Sequence, residues 1–478
     1  MRFMKLTPLA LASLAALTTL MAGCSMAPTY ERPEAPVPST FPNTPASTAD
    51  ATPAAEIDWR QYFTDPRLAG LIETALANNH DLRIAIQNIE QARARFRIER
   101  SAQFPNLGLN ASMTRGRPSQ FGPGVYESDT VNLGIAGWEL DFFGRLQSLK
   151  ESALAQYLAT EEARKATQIS LIAAVANGWL TLLADEAQLQ ITRDTLQTRI
   201  ESQRLIQISF NNGVISEIDL RQAQSLTENA RATYAQQQRV RAQDENALAV
   251  LLGAPVPPEA LVLGARALDG VAPMADLPAG LPADLLTQRP DIRAAEQQLI
   301  AANANIGAAR AAFFPRVTLT SMIGTASNDL SNLFDSGTKA WTFAPQLVLP
   351  IFNAGANIAQ LDSAKAGREI ALAQYEKTIQ SAFREVADAL AGRATFSEQL
   401  RALRAQTEAE TARLKLANLR YRNGVASALD LQDAQRSLFA AQLLAVQTQL
   451  AQLQNQVTLY KVLGGGWTPP EDALSPAS

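Results

Sequence analysis

Between Pro123 and Pro255, and again between Pro350 and Pro469, the chain contains no proline. Inside these gaps, Leu146 to Phe210 and Asn357 to Tyr421 are rich in Ala, Leu, Gln, Glu and Arg, side chains that lose little freedom in a helix. Gly178 in the first run and Gly367 and Gly392 in the second are the only breakers. A helix of ~65 residues rises about 100 Å, more than a compact domain holds. Such a chain must build something long.

The two runs belong to an internal duplication. Asp81-Leu82-Arg83 returns as Asp291-Ile292-Arg293 and Phe104-Pro105 as Phe314-Pro315, both 210 residues later. Asn212-Gly213-Val214 returns as Asn423-Gly424-Val425, and Leu252-Gly253 as Leu463-Gly464, 211 residues later. The period is too long for a solenoid unit. The chain therefore reads as two structural repeats, 65–254 and 283–468, joined by a Pro-rich linker at 255–282.

Each repeat opens with a helical segment, about 65–103 and 283–313, which a Phe-Pro pair stops because proline lacks a donor and bars helix before it. The period then changes to two. Leu107, Leu109, Ala111 and Met113 alternate with Gly108, Asn110, Ser112 and Thr114, and Val131, Leu133 and Ile135 with Asn132 and Gly134. In the second repeat Val317, Leu319 and Ile323 alternate with Thr318, Thr320 and Gly324, and Trp341, Phe343, Leu347 and Leu349 form the returning strand. These are hairpins, at 105–141 and 315–350, with strands of about ten residues, enough to cross a bilayer at a tilt.

Beyond each long helix, Gly213 and Gly424 suit a left-handed helix end, and Ser216 with Asp219, like Ser427 with Asp430, suits a capping box for the next helix. In the last helix Phe439, Leu443, Val446, Leu450, Leu453, Val457 and Tyr460 keep the 4,3 spacing of a coiled-coil seam.

Composition narrows the chemistry. With one Cys and one His in 478 residues, an internal disulfide, a zinc finger and an iron-sulfur cluster are excluded. A formal charge of -4 and pI near 5.4 argue against nucleic acid as a partner. His80 sits at a helix start, and no nucleophile motif, phosphate-binding loop or paired-carboxylate site stands out, so neither enzyme activity nor a dissociable cofactor is expected.

Residues 1–23 read as a secretory signal: Arg2 and Lys5, an apolar run from Leu6 to Met21, then Ala22-Gly23. Cleavage there makes Cys24 the first residue. Met21-Ala22-Gly23-Cys24 looks like a lipoprotein cleavage box, with N-acyl and S-diacylglycerol (palmitate-type) lipid on Cys24; an ordinary signal before an unmodified Cys is the alternative. Ser25 rather than Asp points to the outer membrane. Residues 24–64 are expected to form an extended tether and equatorial segment, and 469–478 a tail.

No mature segment approaches 18 consecutive apolar residues, so no membrane-spanning helix is expected. Four strands cannot close a barrel, and an open edge cannot sit in lipid. If the hairpins enter a membrane, several chains must pool them: two give eight strands, three give twelve. Trp138, Phe142, Phe143, Phe313, Phe314 and Trp341 cluster at strand ends, as an interfacial girdle would. The alternative is two soluble hairpins capping a coiled coil.

Cys24-Ser25-Met26-Ala27-Pro28, Leu140-Asp141-Phe142-Phe143-Gly144-Arg145, Arg289-Pro290-Asp291-Ile292-Arg293-Ala294-Ala295-Glu296, Pro350-Ile351-Phe352-Asn353-Ala354-Gly355 and the two Asn-Gly-Val turns together resemble the TolC-like outer-membrane efflux factors, in their OprM-type lipoprotein branch. The resemblance covers 24–468. It implies a mainly α chain with a membrane β-barrel: a homotrimer whose twelve-stranded barrel, four strands per chain, continues into a long α-helical barrel with an equatorial belt. It further implies an exit duct for a tripartite drug or solute efflux pump, whose partners are a periplasmic adaptor, an inner-membrane resistance-nodulation-division transporter and outer-membrane lipid.

On the same resemblance, Gly213, Val214, Gly424 and Val425 meet the adaptor at the periplasmic tip, and Leu429 and Asp433 form an apolar and an acidic ring at the aperture. A ring of like charges would need bound cations or a retained proton. A solvated helix face remains the alternative for Asp433. A duct for type I protein secretion and a pore-less structural lipoprotein remain alternatives for the whole chain.

Overall fold

The computed structural model describes residues 25–42, 53–117, 125–264, 268–271, 274, 277–278 and 282–467. The signal segment and Cys24 lie outside them. Among the described residues the α-helices are α1 (Trp59–Tyr62), α2 (Pro66–Asn78), α3 (His80–Ser101), α4 (Arg145–Asn211), α5 (Glu217–Leu252), α6 (Pro282–Gln288), α7 (Pro290–Ala311), α8 (Ala356–Arg422) and α9 (Ala428–Val462). The strands are β1 (Leu107–Gly116), β2 (Tyr126–Leu140), β3 (Arg316–Ser327) and β4 (Lys339–Val348). α4 and α8 each run 67 residues without a break, straight through Gly178, Gly367 and Gly392. The segments 65–103 and 283–313, read as helical, are each divided in two, the first at the helix start read at His80. Asn79 breaks the first and starts α3, its Oδ1 accepting from Leu82 N at 2.9 Å while its Nδ2 donates to Leu251 O. Arg289 breaks the second, ahead of Pro290, whose fixed φ suits a first helical position.

Contacts divide the chain into two compact units, each built from both repeats. One comprises the described residues up to Glu34, Gln87–Glu161 and Arg293–Lys377; the other comprises Ala35–Ile86, Glu162–Ile292 and the chain from Thr378 onward.

The first unit holds one antiparallel sheet in the order β1-β2-β3-β4. The hairpins do not stand apart: β2 pairs with β3, with Asn132 opposite Gly324 and Gly134 opposite Met322. Register sorts the faces. Leu109, Leu133, Ile323 and Trp341 line up on one face; Asn110, Asn132, Gly324 and Ala340 line up on the other. The apolar face is bare, with Leu109 73% and Trp341 77% exposed. At the foot of the sheet, Arg145 grips Glu139 with two hydrogen bonds of 2.8 and 2.7 Å, and Phe143 stacks on Phe314 at 4.8 Å.

The N-terminal segment of this unit, expected as an extended tether and equatorial segment, is fastened to α7. Arg32 donates two hydrogen bonds to Glu296, at 2.7 and 2.9 Å, and Tyr30 a third at 3.1 Å. Asn303 and Arg310 donate to the carbonyls of Pro28 and Met26. Glu296 closes the Arg-Pro-Asp-Ile-Arg-Ala-Ala-Glu run, so this acid fastens the chain start to α7.

The second unit contains most of the buried core. Ile172, Val175, Trp179, Leu183 and Leu248 are buried. A window of α4 is apolar and long enough to cross a membrane by length and composition alone; 56% of it is buried inside the protein, as for a core helix. Tyr62 stacks on Tyr460 at 4.1 Å, and Arg289, itself buried, donates to Asp291, Glu385 and the carbonyl of Val462. The expected seam of α9 is buried only at Val457 and Tyr460; along its middle, the covered positions are the small residues Ala434, Ala441 and Thr448, seven apart. Small side chains let helices approach closely, so they are covered first.

One core group carries a pH dependence. Asp185 on α4 is buried and faces Asp244 on α5, and Gln237 donates to it at 3.2 Å. Burial, with the hydrogen bond and charge of Asp244, pushes its carboxyl up to about 7. A raised pKa means the folded state holds a proton that the unfolded chain releases. Stability is thus expected to fall as pH rises from about 4 to about 7, and to level off above that. Asp185→Asn should flatten this slope and add on the order of 2–4 kcal/mol above neutrality, checked by denaturant unfolding across pH.

Candidate functional site

The two Asn-Gly-Val turns come together in the second unit. At the end of α4, Gly213 adopts φ 72°, Gly213 N donates to Phe210 O at 2.9 Å, and Val214 N donates to Ser209 O at 2.9 Å. At the end of α8, Gly424 has φ 71°, Gly424 N donates to Tyr421 O at 3.0 Å, and Val425 N donates to Arg420 O at 3.0 Å. Paired bonds of this kind, closed by a left-handed glycine, satisfy carbonyls that a helix end otherwise leaves bare. A β-carbon at either glycine would be strained by that φ.

Each turn passes directly into a capping box. Ser216 Oγ accepts from Asp219 N while Ser216 N donates to Asp219 Oδ2, and Ser427 and Asp430 repeat both bonds. The bonds from Ser427 hold the Asp430 carboxyl below the usual carboxylate range. Behind the turns, Ile206, Leu220, Ala223 and Ala428 form a buried cluster, with Phe210, Ile215 and Tyr421 packed on it. In front, Val214, Ile218, Val425 and Leu429 are all exposed. The glycines, caps and core are ordinary stability; four bare aliphatic side chains on the turns and the helix starts after them are not needed for it.

Asp433 lies one turn beyond the second capping box, on α9. It accepts from Arg413 of α8 at 2.5 Å and from Arg436 of its own helix. Arg413 also reaches Glu410 and Ser437. The hydrogen bond from Arg413, with the charge of both arginines, holds the Asp433 carboxyl below its ordinary range. The compensation expected from bound cations or a retained proton is thus supplied by the chain itself, and the carboxylate ties α8 to α9. Arg436, three residues on, is a spacing visible in sequence. Arg413 was not singled out there, although folding the chain about Gly424 brings the two helices antiparallel and places it near Asp433. The matching positions of the first repeat are Ser202 and Gln222, so the bridge belongs to the second repeat alone.

Long paired helices ending in capped tips, together with a small sheet that is apolar on one face, define a channel-forming class of outer-membrane protein. The chain belongs to the outer membrane efflux protein family, whose model matches it twice, over residues 71–254 and 281–465.

Among its relatives, the probable efflux pump outer membrane protein TtgC of Pseudomonas putida is 48% identical over 467 residues, covering 96% of each chain. The outer membrane protein OprJ of Pseudomonas aeruginosa is 42% identical over 456 residues, covering 94% of each. Among solved structures, the open state of the MtrE outer membrane channel of Neisseria gonorrhoeae superposes with a TM-score of 0.83 at 43% identity, covering 93% of this chain and 98% of that one.

Proposed function

We propose that this protein is the outer-membrane exit duct of a tripartite drug or solute efflux pump, a passive channel whose helical tip opens and closes in the periplasm. The observation that carries the reading is the sheet. Its order leaves β1 and β4 each with one open edge, and its register puts apolar side chains on one face and small or polar ones on the other. Lipid suits the first face and water the second, and the open edges are satisfied only when copies join edge to edge. Three copies make a barrel of twelve strands. The relatives' names, an efflux pump protein and an outer membrane channel, agree with this reading. The bare aliphatic side chains of the tip are the contact for a periplasmic adaptor, which joins the duct to a proton-driven inner-membrane transporter.

The test is functional reconstitution in a host lacking its own duct but supplied with the adaptor and transporter. Dye accumulation should fall several-fold when the chain is expressed, and the purified protein should carry current in a planar bilayer. A protein with no current is a spacer, and one that conducts but leaves dye unchanged under every adaptor and transporter tried serves another cargo.

The same reading includes a lipid anchor at Cys24. Cys24→Ser is expected to abolish labelling by radioactive palmitate and to leave uncut precursor on a gel. Equal labelling of both proteins would sink it. Insertion itself should survive, because the barrel is a separate anchor.

A further inference from the structure

Arg199, on α4, is 6% exposed, yet no carboxylate pairs with it among the described residues. Its guanidinium makes one hydrogen bond, from Nη1 to Leu226 O at 3.4 Å, and its Nε is buried without an acceptor. Gln432, on α9, is 4% exposed, and both its amide nitrogen and its amide oxygen are buried without partners. Arg199 and Gln432 line one small pocket, and Arg436 lies close enough for its charge to oppose that of Arg199. The folded chain thus sets a buried guanidinium, a second positive charge and an unused amide next to one another. A buried cation with no counter-charge is among the costliest things a fold can keep.

Arg199 also lines a cavity of about 170 Å³ between α4, α8 and α9, roughly ten times what admits a single water. Asp194, Thr198, Leu414, Gln435 and Phe439 line it with Arg199. Asp194 is its one acid. It lies five residues before Arg199, about 140° around the helix, and accepts from Gln190 instead.

We propose that this cavity is a binding site for a small oxyanion, of the phosphate or carboxylate type, held by Arg199 and by the amide N–H of Gln435, which lines the same cavity. A planar guanidinium with a free edge matches two oxygens of such an anion, and charge-assisted hydrogen bonds of this kind are the strong ones. The bound anion neutralises Arg199 and Arg436 together. It also ties α4 of the first repeat to α9 of the second, beside the Arg413–Asp433 bridge, so occupancy holds the tip in the arrangement described here.

Equilibrium dialysis of the purified full-length protein against radiolabelled inorganic phosphate, with acetate as a competing carboxylate, tests the site. Saturable binding of one phosphate per chain is expected, lost in Arg199→Met and weakened about tenfold in Gln435→Leu, which removes one hydrogen bond. At constant ionic strength, phosphate should raise the melting temperature of the wild type and leave that of Arg199→Met unchanged; comparing the two removes the general salting effect of phosphate. Stronger displacement by acetate than by unlabelled phosphate assigns a carboxylate as the preferred oxyanion.

Absent saturable binding, or equal binding by wild type and Arg199→Met, overturns the proposal. So does an Arg199→Met protein that is more stable than wild type at every phosphate concentration, because the guanidinium is then simply unsatisfied. Should Arg199→Met misfold, Gln435→Leu and dialysis of the wild type still decide the matter.

Discussion

Replacing Asp433 with Ala is expected to enlarge the single-channel conductance of the reconstituted protein several-fold. The carboxylate receives Arg413 of α8 and Arg436 of α9, so its loss releases the only ion pair that joins these two helices near the tip among the described residues. Arg413→Ala should act in the same direction, since it cuts the same tie from the other side. Leu429→Ala, added to either, should enlarge the opening further, because Leu429 is bare and one turn nearer the tip.

The contrast is Asp430→Ala. That residue only caps α9, and its loss should cost about 1 kcal/mol of stability with little change in conductance. Acid is a second lever. A carboxyl held low contributes its tie above the ordinary carboxylate range and loses it only as pH falls through its own lowered value. Channels should therefore stay tight through mildly acidic pH and loosen in stronger acid, a response absent from Asp433→Ala. Unchanged conductance in Asp433→Ala protein that still assembles would place this residue on an ordinary wet helix face.

Gly324→Val is expected to abolish assembly of the barrel. Gly324 lies on β3 where the two hairpins join, and a β-carbon there would stand 2.0 Å from the carbonyl oxygen of Val131. Gly134, on the facing strand, has the same difficulty, with Ser321 O at 2.2 Å. Neither obstacle is a side-chain end that can swing aside. The strands must part, at a cost on the order of 3 kcal/mol or more, and the sheet then fails between repeats. Gly108→Ala is the control, because nothing lies within 4 Å of a β-carbon there. Heat-modifiable migration on gels, read from outer-membrane fractions, should show assembled protein for Gly108→Ala and none for Gly324→Val. Normal assembly of Gly324→Val would mean that the β2–β3 pairing is not what closes the wall.

Much of this fold is written in short-range chemistry. The expected long helices, Leu146 to Phe210 and Asn357 to Tyr421, end within a residue of α4 and α8, and both capping boxes form as their Ser and Asp positions require. Helix stops, left-handed glycines and capping bonds join groups at most five residues apart, so the residue order alone determines them. The period-two runs likewise set which side chains share a face of the sheet.

Only the tertiary structure decided what those elements meet. β2 joins β3 across almost two hundred residues of chain, Arg32 finds Glu296, Arg413 finds Asp433, and Arg199 Nε is left without an acceptor. None of these is marked by spacing, because the partners are set by how helices and strands from both repeats pack. The seam of α9 shows why. Its large apolar residues obey the heptad, yet the positions covered along its middle are Ala434, Ala441 and Thr448, since close approach selects small side chains and periodicity cannot say which face comes nearest. Local hydrogen bonding named the elements; the distances between them, which depend on every packed surface at once, chose the contacts.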